Sequence, residues 1–213
     1  MQRFLVISDI HRRDKVKAWA LRLVAERKLD GVIVLGDITH FGPAQWAEEF
    51  LRGFNVPVYA VPGNCDPPGT VAHIDRAATL LHGRRVETPV GAMVGYGGSN
   101  PTIFDTPFEM PEEQILRELR PLMVRGAILV VHCPPYGIND VTFSGLNAGS
   151  KAILQVVQEF QPRVVLSGHI HEAAGVVEQD GTVFINPGAA KDGRAALVTL
   201  GGHPQVELLE GLE

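Results

Sequence analysis

Phe4-Leu5-Val6-Ile7-Ser8-Asp9-Ile10-His11 sets a short apolar run directly against two side chains that bind metal ions well. A run of this length, bounded by polar residues, reads as a strand buried on both faces, the kind found in parallel sheets. In open α/β sheets, ligands bind in the crevice beyond the carboxyl ends of the strands. The same arrangement recurs four times. Gly36-Asp37 follows the apolar residues 32–35, Gly63-Asn64-Cys65-Asp66 follows 56–61, His132 follows 127–131, and Gly168-His169-Ile170-His171 follows 163–166. Asp9, His11, Asp37, Asn64, His132, His169 and His171 are thus delivered to one rim. Seven donors are too many for one ion and suit two divalent cations sharing a carboxylate.

Between these runs the pattern changes to that of helices. Val16, Trp19, Ala20, Leu23 and Val24 recur at helical spacing with Asp14 placed to cap them, a second helix is expected from about Pro43, and Ile74, Ala78 and Leu81 mark a third. Residues 91–99 read as a strand and a glycine-rich loop. A helix then opens at Pro111 and breaks near Pro121, and another covers 150–160. Alternation of strand and helix implies a parallel sheet built from crossover units. From Gly175 on, residues 175–178, 182–185, 195–200 and 206–209 read as short strands separated by turns such as Asp180-Gly181. No internal repeat or low-complexity linker interrupts the chain, and residues 1–213 are expected to form a single domain.

Composition narrows the function classes. An apolar share of 45% is ordinary for a globular protein, and no stretch approaches the roughly 20 apolar residues of a membrane helix. The first residues show no basic region, apolar core and cleavage site in succession, so no signal peptide is expected. Cys65 and Cys133 are too few for a disulfide framework, which points to a reducing cytoplasm. The formal charge of −5, with only the pairs Arg12-Arg13 and Arg84-Arg85 as basic clusters, argues against a nucleic-acid face.

Each piece of the constellation has a bland reading. Asp-x-His is weak by itself, Gly-Asp is commonly a turn, and Gly-Asn-Cys-Asp suits a turn with a left-handed Asn. Their joint occurrence at strand ends is what chance does not supply. The donors differ in use: Asp37 has two oxygens and can bridge two ions, Asn64 offers a neutral carbonyl, and His169 and His171 can serve one ion each. Mixed nitrogen and oxygen donors suit Mn first, with Fe, Zn, Ni or Co as further candidates.

The ordered series Asp9-x-His11, Gly36-Asp37, Gly63-Asn64-x-Asp66, His132 and Gly168-His169-x-His171 resembles the calcineurin-like metallophosphoesterase superfamily. Gly97-Gly98-Ser99-Asn100-Pro101-Thr102 and His132-Cys133-Pro134-Pro135-Tyr136-Gly137 are similar to segments of small prokaryotic Icc-related predicted phosphoesterases. The resemblance implies a four-layer αββα sandwich of two mixed sheets flanked by helices. It implies one ion at Asp9, His11, Asp37 and His171, and a second at Asp37, Asn64, His132 and His169.

The expected activity is that of a dinuclear metal-dependent phosphohydrolase in which activated hydroxide attacks phosphorus in line. Two divalent ions, two aspartates and one hydroxide leave a single net positive charge, which matches a diester monoanion better than a monoester dianion. The alternatives are a phosphomonoesterase or nucleotide pyrophosphatase and, from another class, a non-catalytic protein-binding scaffold like the retromer subunit that resembles these enzymes. The expected partner is a small phosphate ester; a homo-oligomer is left open. Cys65 departs from the commonest pattern, since many members carry His there to help protonate the leaving group. Cys65 and Asp66 stand as catalytic candidates, with packing as the plain role for Cys65 and bracing of the metal loop for Asp66. Asn64, Arg12 and His40 are candidates for substrate contact, and Asn100 and Asp140 for shaping a pocket. His73, His82 and His203 are expected at the surface.

Overall fold

A computed structural model of the chain describes residues 1–212. Strand β1 (Gln2–Ile7) leads into α1 (Asp14–Glu26), followed by β2 (Gly31–Val34), α2 (Ala44–Leu51), β3 (Val58–Ala60), α3 (Thr70–Ala77) and β4 (Thr79–Leu80). Next come β5 (Arg84–Thr88), β6 (Gly91–Tyr96), α4 (Glu112–Leu119), β7 (Ile128–Val131), α5 (Lys151–Phe160) and β8 (Val164–Leu166). The chain ends in β9 (Gly175–Gln179), β10 (Thr182–Asn186), β11 (Arg194–Leu200) and β12 (Gln205–Glu210).

Two six-stranded mixed sheets result, ordered β12-β11-β1-β2-β3-β4 and β5-β6-β7-β8-β10-β9. In the first, β1 to β4 run parallel; in the second, β6, β7, β8 and β10 do, with antiparallel strands at the edges. Alternation along each strand builds the layers. Phe4 and Val6 of β1 point into a core shared with Ile128, Val130, Val164 and Leu166 of the second sheet. Leu5 and Ile7 point the other way, onto Val16, Trp19, Ala20 and Phe50 of α1 and α2. On the far side Leu129, Val131 and Val165 pack against Ile115 and Leu119 of α4 and Ile153 and Val156 of α5. The fold is the four-layer αββα sandwich.

Several local expectations are corrected. Asp14 lies inside α1 rather than capping it: Arg13 holds the cap position without a side-chain bond, and Asp14 accepts from Trp46 Nε1 at 3.3 Å. Pro43 likewise precedes α2 at its cap. The third helix stops at Ala77, because Ala78 turns to extended backbone and Leu81 crosses into the core between the sheets. Arg84 and Arg85, by contrast, are exposed as expected, at the start of the edge strand β5. His82 is not a surface residue: it packs on Tyr96 and Phe108 and accepts from Gly97 N at 2.9 Å.

Candidate metal centre

Strand register brings the motifs level. Ile7 pairs with Val34, so Asp9 and Asp37 leave adjacent strand ends together, and Val130 pairs with Leu166, which does the same for His132 and His169. The loops beyond then interlock: Asp9 N donates to Gly36 O at 3.1 Å, His11 N to Asp37 O at 2.9 Å, and Gly168 N to His132 O at 2.9 Å. Asp9, His11, Asp37 and His169 all adopt positive φ, between 46° and 67°. That conformation is uncommon outside glycine and collects at functional sites, where surrounding contacts impose it. Glycine is needed beside them, since a Cβ on Gly63 would overlap Asp37 Oδ1 and one on Gly168 would overlap Ser8 Oγ.

Asp37 lies at the middle. Its Oδ1 is 3.5 Å from His132 Nε2, and its Oδ2 is 3.7 Å from His11 Nε2. The imidazoles fall into two pairs, His11 with His171 (centroids 5.8 Å) and His132 with His169 (5.0 Å). Asp9 Oδ1 is 2.9 Å from His171 Nε2 and 3.7 Å from His11 Nε2, while its Oδ2 accepts from His169 N at 3.1 Å. Asp9, His11 and His171 present donor atoms within 4.8 Å of one another, as do Asp9, Asp37 and His132.

The protonation pattern suits a cation. His132 Nδ1 faces Leu35 O at 2.8 Å and donates to it, which aims Nε2 into the site. That nitrogen stands 2.8 Å from Asn64 Oδ1. Asp37 Oδ1 lies 3.5 Å from the same nitrogen, so three atoms able to ligate a cation converge there. Burial lowers His11 to about 4 and His169 to about 3, keeping both neutral, the form that ligates. Burial also pushes Asp37 up to about 7, with Asp9 and Asp66 adding to it and His132 opposing. Burial would raise Asp9 too, but the His171 bond and the nearby imidazoles outweigh it and hold Asp9 well below its ordinary value. The same bond raises His171 against its own desolvation.

The remaining candidates separate. Asp66 is fully buried and accepts from Gly63 N (2.8 Å), Ile38 N (3.1 Å), Thr39 N (2.7 Å) and Thr39 Oγ1 (2.8 Å), tying together the loops that carry Asp37 and Asn64. Cys65 donates its backbone N–H to Asp37 Oδ1 at 2.8 Å, and burial followed by the charge of Asp37 pushes its thiol up. His40 lies exposed at the rim, edge-on to His11 at 5.4 Å, with donor atoms of His11, His40 and Cys65 within 4.8 Å of one another. Arg12 is exposed, its Nη1 3.4 Å from Gly42 O. Asn100 and Asp140 shape loops from within: Asn100 Oδ1 accepts from Cys133 Sγ at 2.9 Å, and Asp140 accepts from Gly137 N, Gly149 N and Asn147 Nδ2, each at 2.9 Å.

Sequence reasoning passed over Asn186 and Lys191. Asn186 closes β10, so the rule that found the other strand-end residues applied to it as well; its side chain donates to Ile170 O at 2.9 Å and accepts from Gly188 N at 2.9 Å. Lys191 N donates to Asp9 O at 3.1 Å, and its positive charge disfavours protonation of His11 and His171.

A family model described as calcineurin-like phosphoesterase matches residues 2–173. An uncharacterized protein of Methanocaldococcus jannaschii is 33% identical over 168 residues, covering 74% of this chain and 77% of its own. Solved structures share the fold, among them the following two. A dimetal phosphatase from Danio rerio has a TM-score of 0.70 at 13% identity, covering 98% of this chain and 96% of its own. An archaeal phosphodiesterase has a TM-score of 0.59 at 14% identity, covering 97% and 99%. With the family match spanning both the strands and the loops that carry the donor cluster, the chain belongs to the calcineurin-like phosphoesterase family.

Proposed function

We propose that this phosphoesterase is a dinuclear, metal-dependent phosphodiesterase, with Mn as the preferred ion. The observation that carries the reading is the division of Asp37, one oxygen toward His132 and the other toward His11. We assign Asp9, His11, Asp37 and His171 to one ion, and Asp37, Asn64, His132 and His169 to the other. Two such ions, when bound, polarise the phosphoryl oxygens and make water acidic enough to attack near neutral pH.

The chain supplies the rest. Asp37 holds the two sites at a fixed separation, and Asp66 locks the loops that carry Asp37 and Asn64. Neutral Asn64 takes the place of what would be a third carboxylate, so an anionic ester meets less repulsion. Arg12 and His40 border the His11 side, where each can meet a phosphate oxygen or a leaving group. Among related folds, one neighbour is itself a phosphodiesterase and another a dimetal phosphatase, which is consistent with the reading without distinguishing the ester class. The test is elemental analysis together with turnover of bis-p-nitrophenyl phosphate before and after chelation. Two metal equivalents and chelator-sensitive turnover restored by Mn are expected; undiminished turnover in thoroughly metal-free protein would overturn the proposal.

A further inference from the structure

Residues 99–110, between β6 and α4, close on themselves through Ser99 N to Phe108 O (3.2 Å) and Met110 N to Ser99 O (2.8 Å). The Glu109 carboxylate is the hub inside. Its Oε1 accepts from Thr106 N (2.9 Å), Thr106 Oγ1 (2.5 Å) and Thr102 Oγ1 (2.6 Å), and its Oε2 accepts from Thr102 N (2.9 Å). Burial works against ionisation here, but these bonds prevail and hold Glu109 below its ordinary value. The loop reaches the metal centre at one residue: Phe108 N donates to Asn64 O at 3.0 Å, and Asn64 Nδ2 lies 2.9 Å from Thr106 Oγ1.

Donor and acceptor roles can be followed along this chain. An ionised carboxylate only accepts, so the single hydroxyl hydrogen of Thr106 is committed to Glu109. Thr106 Oγ1 then has only lone pairs left for Asn64, and the atom facing it must be the amide nitrogen. The other end of the amide, Oδ1, is thereby turned toward His132 Nε2 at 2.8 Å. The competing acceptor for the amide is Cys65 Sγ at 3.8 Å, a weak one. Without this ordering the amide can rotate and present NH₂ to the cation position.

We propose that Glu109, acting through Thr106, is a positioning residue that fixes the Asn64 carbonyl toward the second ion and so ties the state of the 99–110 loop to occupancy of that site. The inference rests on the dinuclear reading above. It predicts a selective effect: the second ion weakens while the first keeps its affinity. Thr106→Val deletes the hydroxyl but leaves the Thr102 bonds to Glu109 in place. Glu109→Ala removes the acceptor, which frees the Thr106 hydrogen to point at Asn64 and favours the reversed amide.

The experiment is calorimetric titration of Mn²⁺ into metal-free protein, with thermal melts of each metal-free variant alongside. In Thr106→Val and Glu109→Ala one site should keep its affinity and the other weaken by about 10–100-fold, the scale of a lost outer-sphere support, with Thr106→Ser returning to wild type. Wild-type affinity at both sites in both variants would overturn the inference, as would equal weakening of both sites with a lowered melt, which is what a merely structural loop anchor produces. Wild-type protein that binds a single Mn²⁺ would instead sink the dinuclear reading, and this inference with it.

Discussion

Asp66 Oδ1 accepts two hydrogen bonds from Thr39, one from the backbone nitrogen at 2.7 Å and one from the hydroxyl at 2.8 Å. Its other oxygen takes Gly63 N and Ile38 N. All four donors belong to the loops bearing Asp37 and Asn64, so the carboxylate serves as an internal splint. Asp66→Asn would aim an NH₂ group at donors and leave at least two of them unpaired. Each unmet buried donor costs about 1–3 kcal/mol, and the metal-free melt should fall by about 5 °C or more, with metal lost as well. A variant with an unchanged melt and both metals, but no turnover, would show that Asp66 takes part in the chemistry.

Asp37→Asn separates metal binding from stability. Burial raises Asp37 from 3.8 to about 7, so the folded protein holds that proton more tightly than the unfolded chain does. Its contribution to stability is complete below 3.8 and disappears as pH rises through about 7. Metal-free wild type should therefore lose stability across that window relative to Asp37→Asn, which has no proton to release. The variant should also lose metal and at least about 100-fold in turnover. Parallel pH profiles of the denaturation midpoint for the two metal-free proteins test the first part. Coincident profiles would show that Asp37 titrates normally in the fold.

How far the sequence could be read depended on whether a feature left a periodic trace. Asp9, Asp37, His132 and His169 each end an apolar run, and runs are visible because buried parallel strands must be apolar on both faces. Helix α1 was legible for the same reason: its five buried residues are those with the helical spacing. Leu81 misled because Ile74, Ala78 and Leu81 keep that spacing although Ile74 and Leu81 serve different cores. The Glu109-Thr106-Asn64 chain left no trace at all. It joins polar residues 42 positions apart through a loop without periodicity, and only the closed backbone brings them together.

His169 and His171 point toward different imidazole partners, His132 and His11 respectively. Replacing either one with Ala should remove donors from one ion only, leaving a folded protein that holds about one metal equivalent. Elemental analysis, with a thermal melt as control, measures this. Retention of both equivalents and full activity in either variant would remove that residue from the ligand set.

Cys65 bears on the choice between diesters and monoesters. The side chain is buried, and burial with the nearby Asp37 pushes the thiol away from acidity, so it is poorly placed to protonate a departing oxygen near neutral pH. Its useful contact, the N–H to Asp37 Oδ1 at 2.8 Å, belongs to the backbone and survives substitution. Cys65→Ala should therefore keep most of its activity on bis-p-nitrophenyl phosphate. Monoesters with poor leaving groups gain most from a general acid, typically about 10²–10⁴-fold, so the wild type should favour the diester over p-nitrophenyl phosphate. Cys65→His places a titratable donor beside Asp37 and His40 and should move the ratio of specificity constants toward monoesters. The measurement is kcat/KM for both substrates in all three proteins at matched metal loading. Loss of diesterase activity in Cys65→Ala with both metals retained would give the thiol a chemical role and end this line of reasoning.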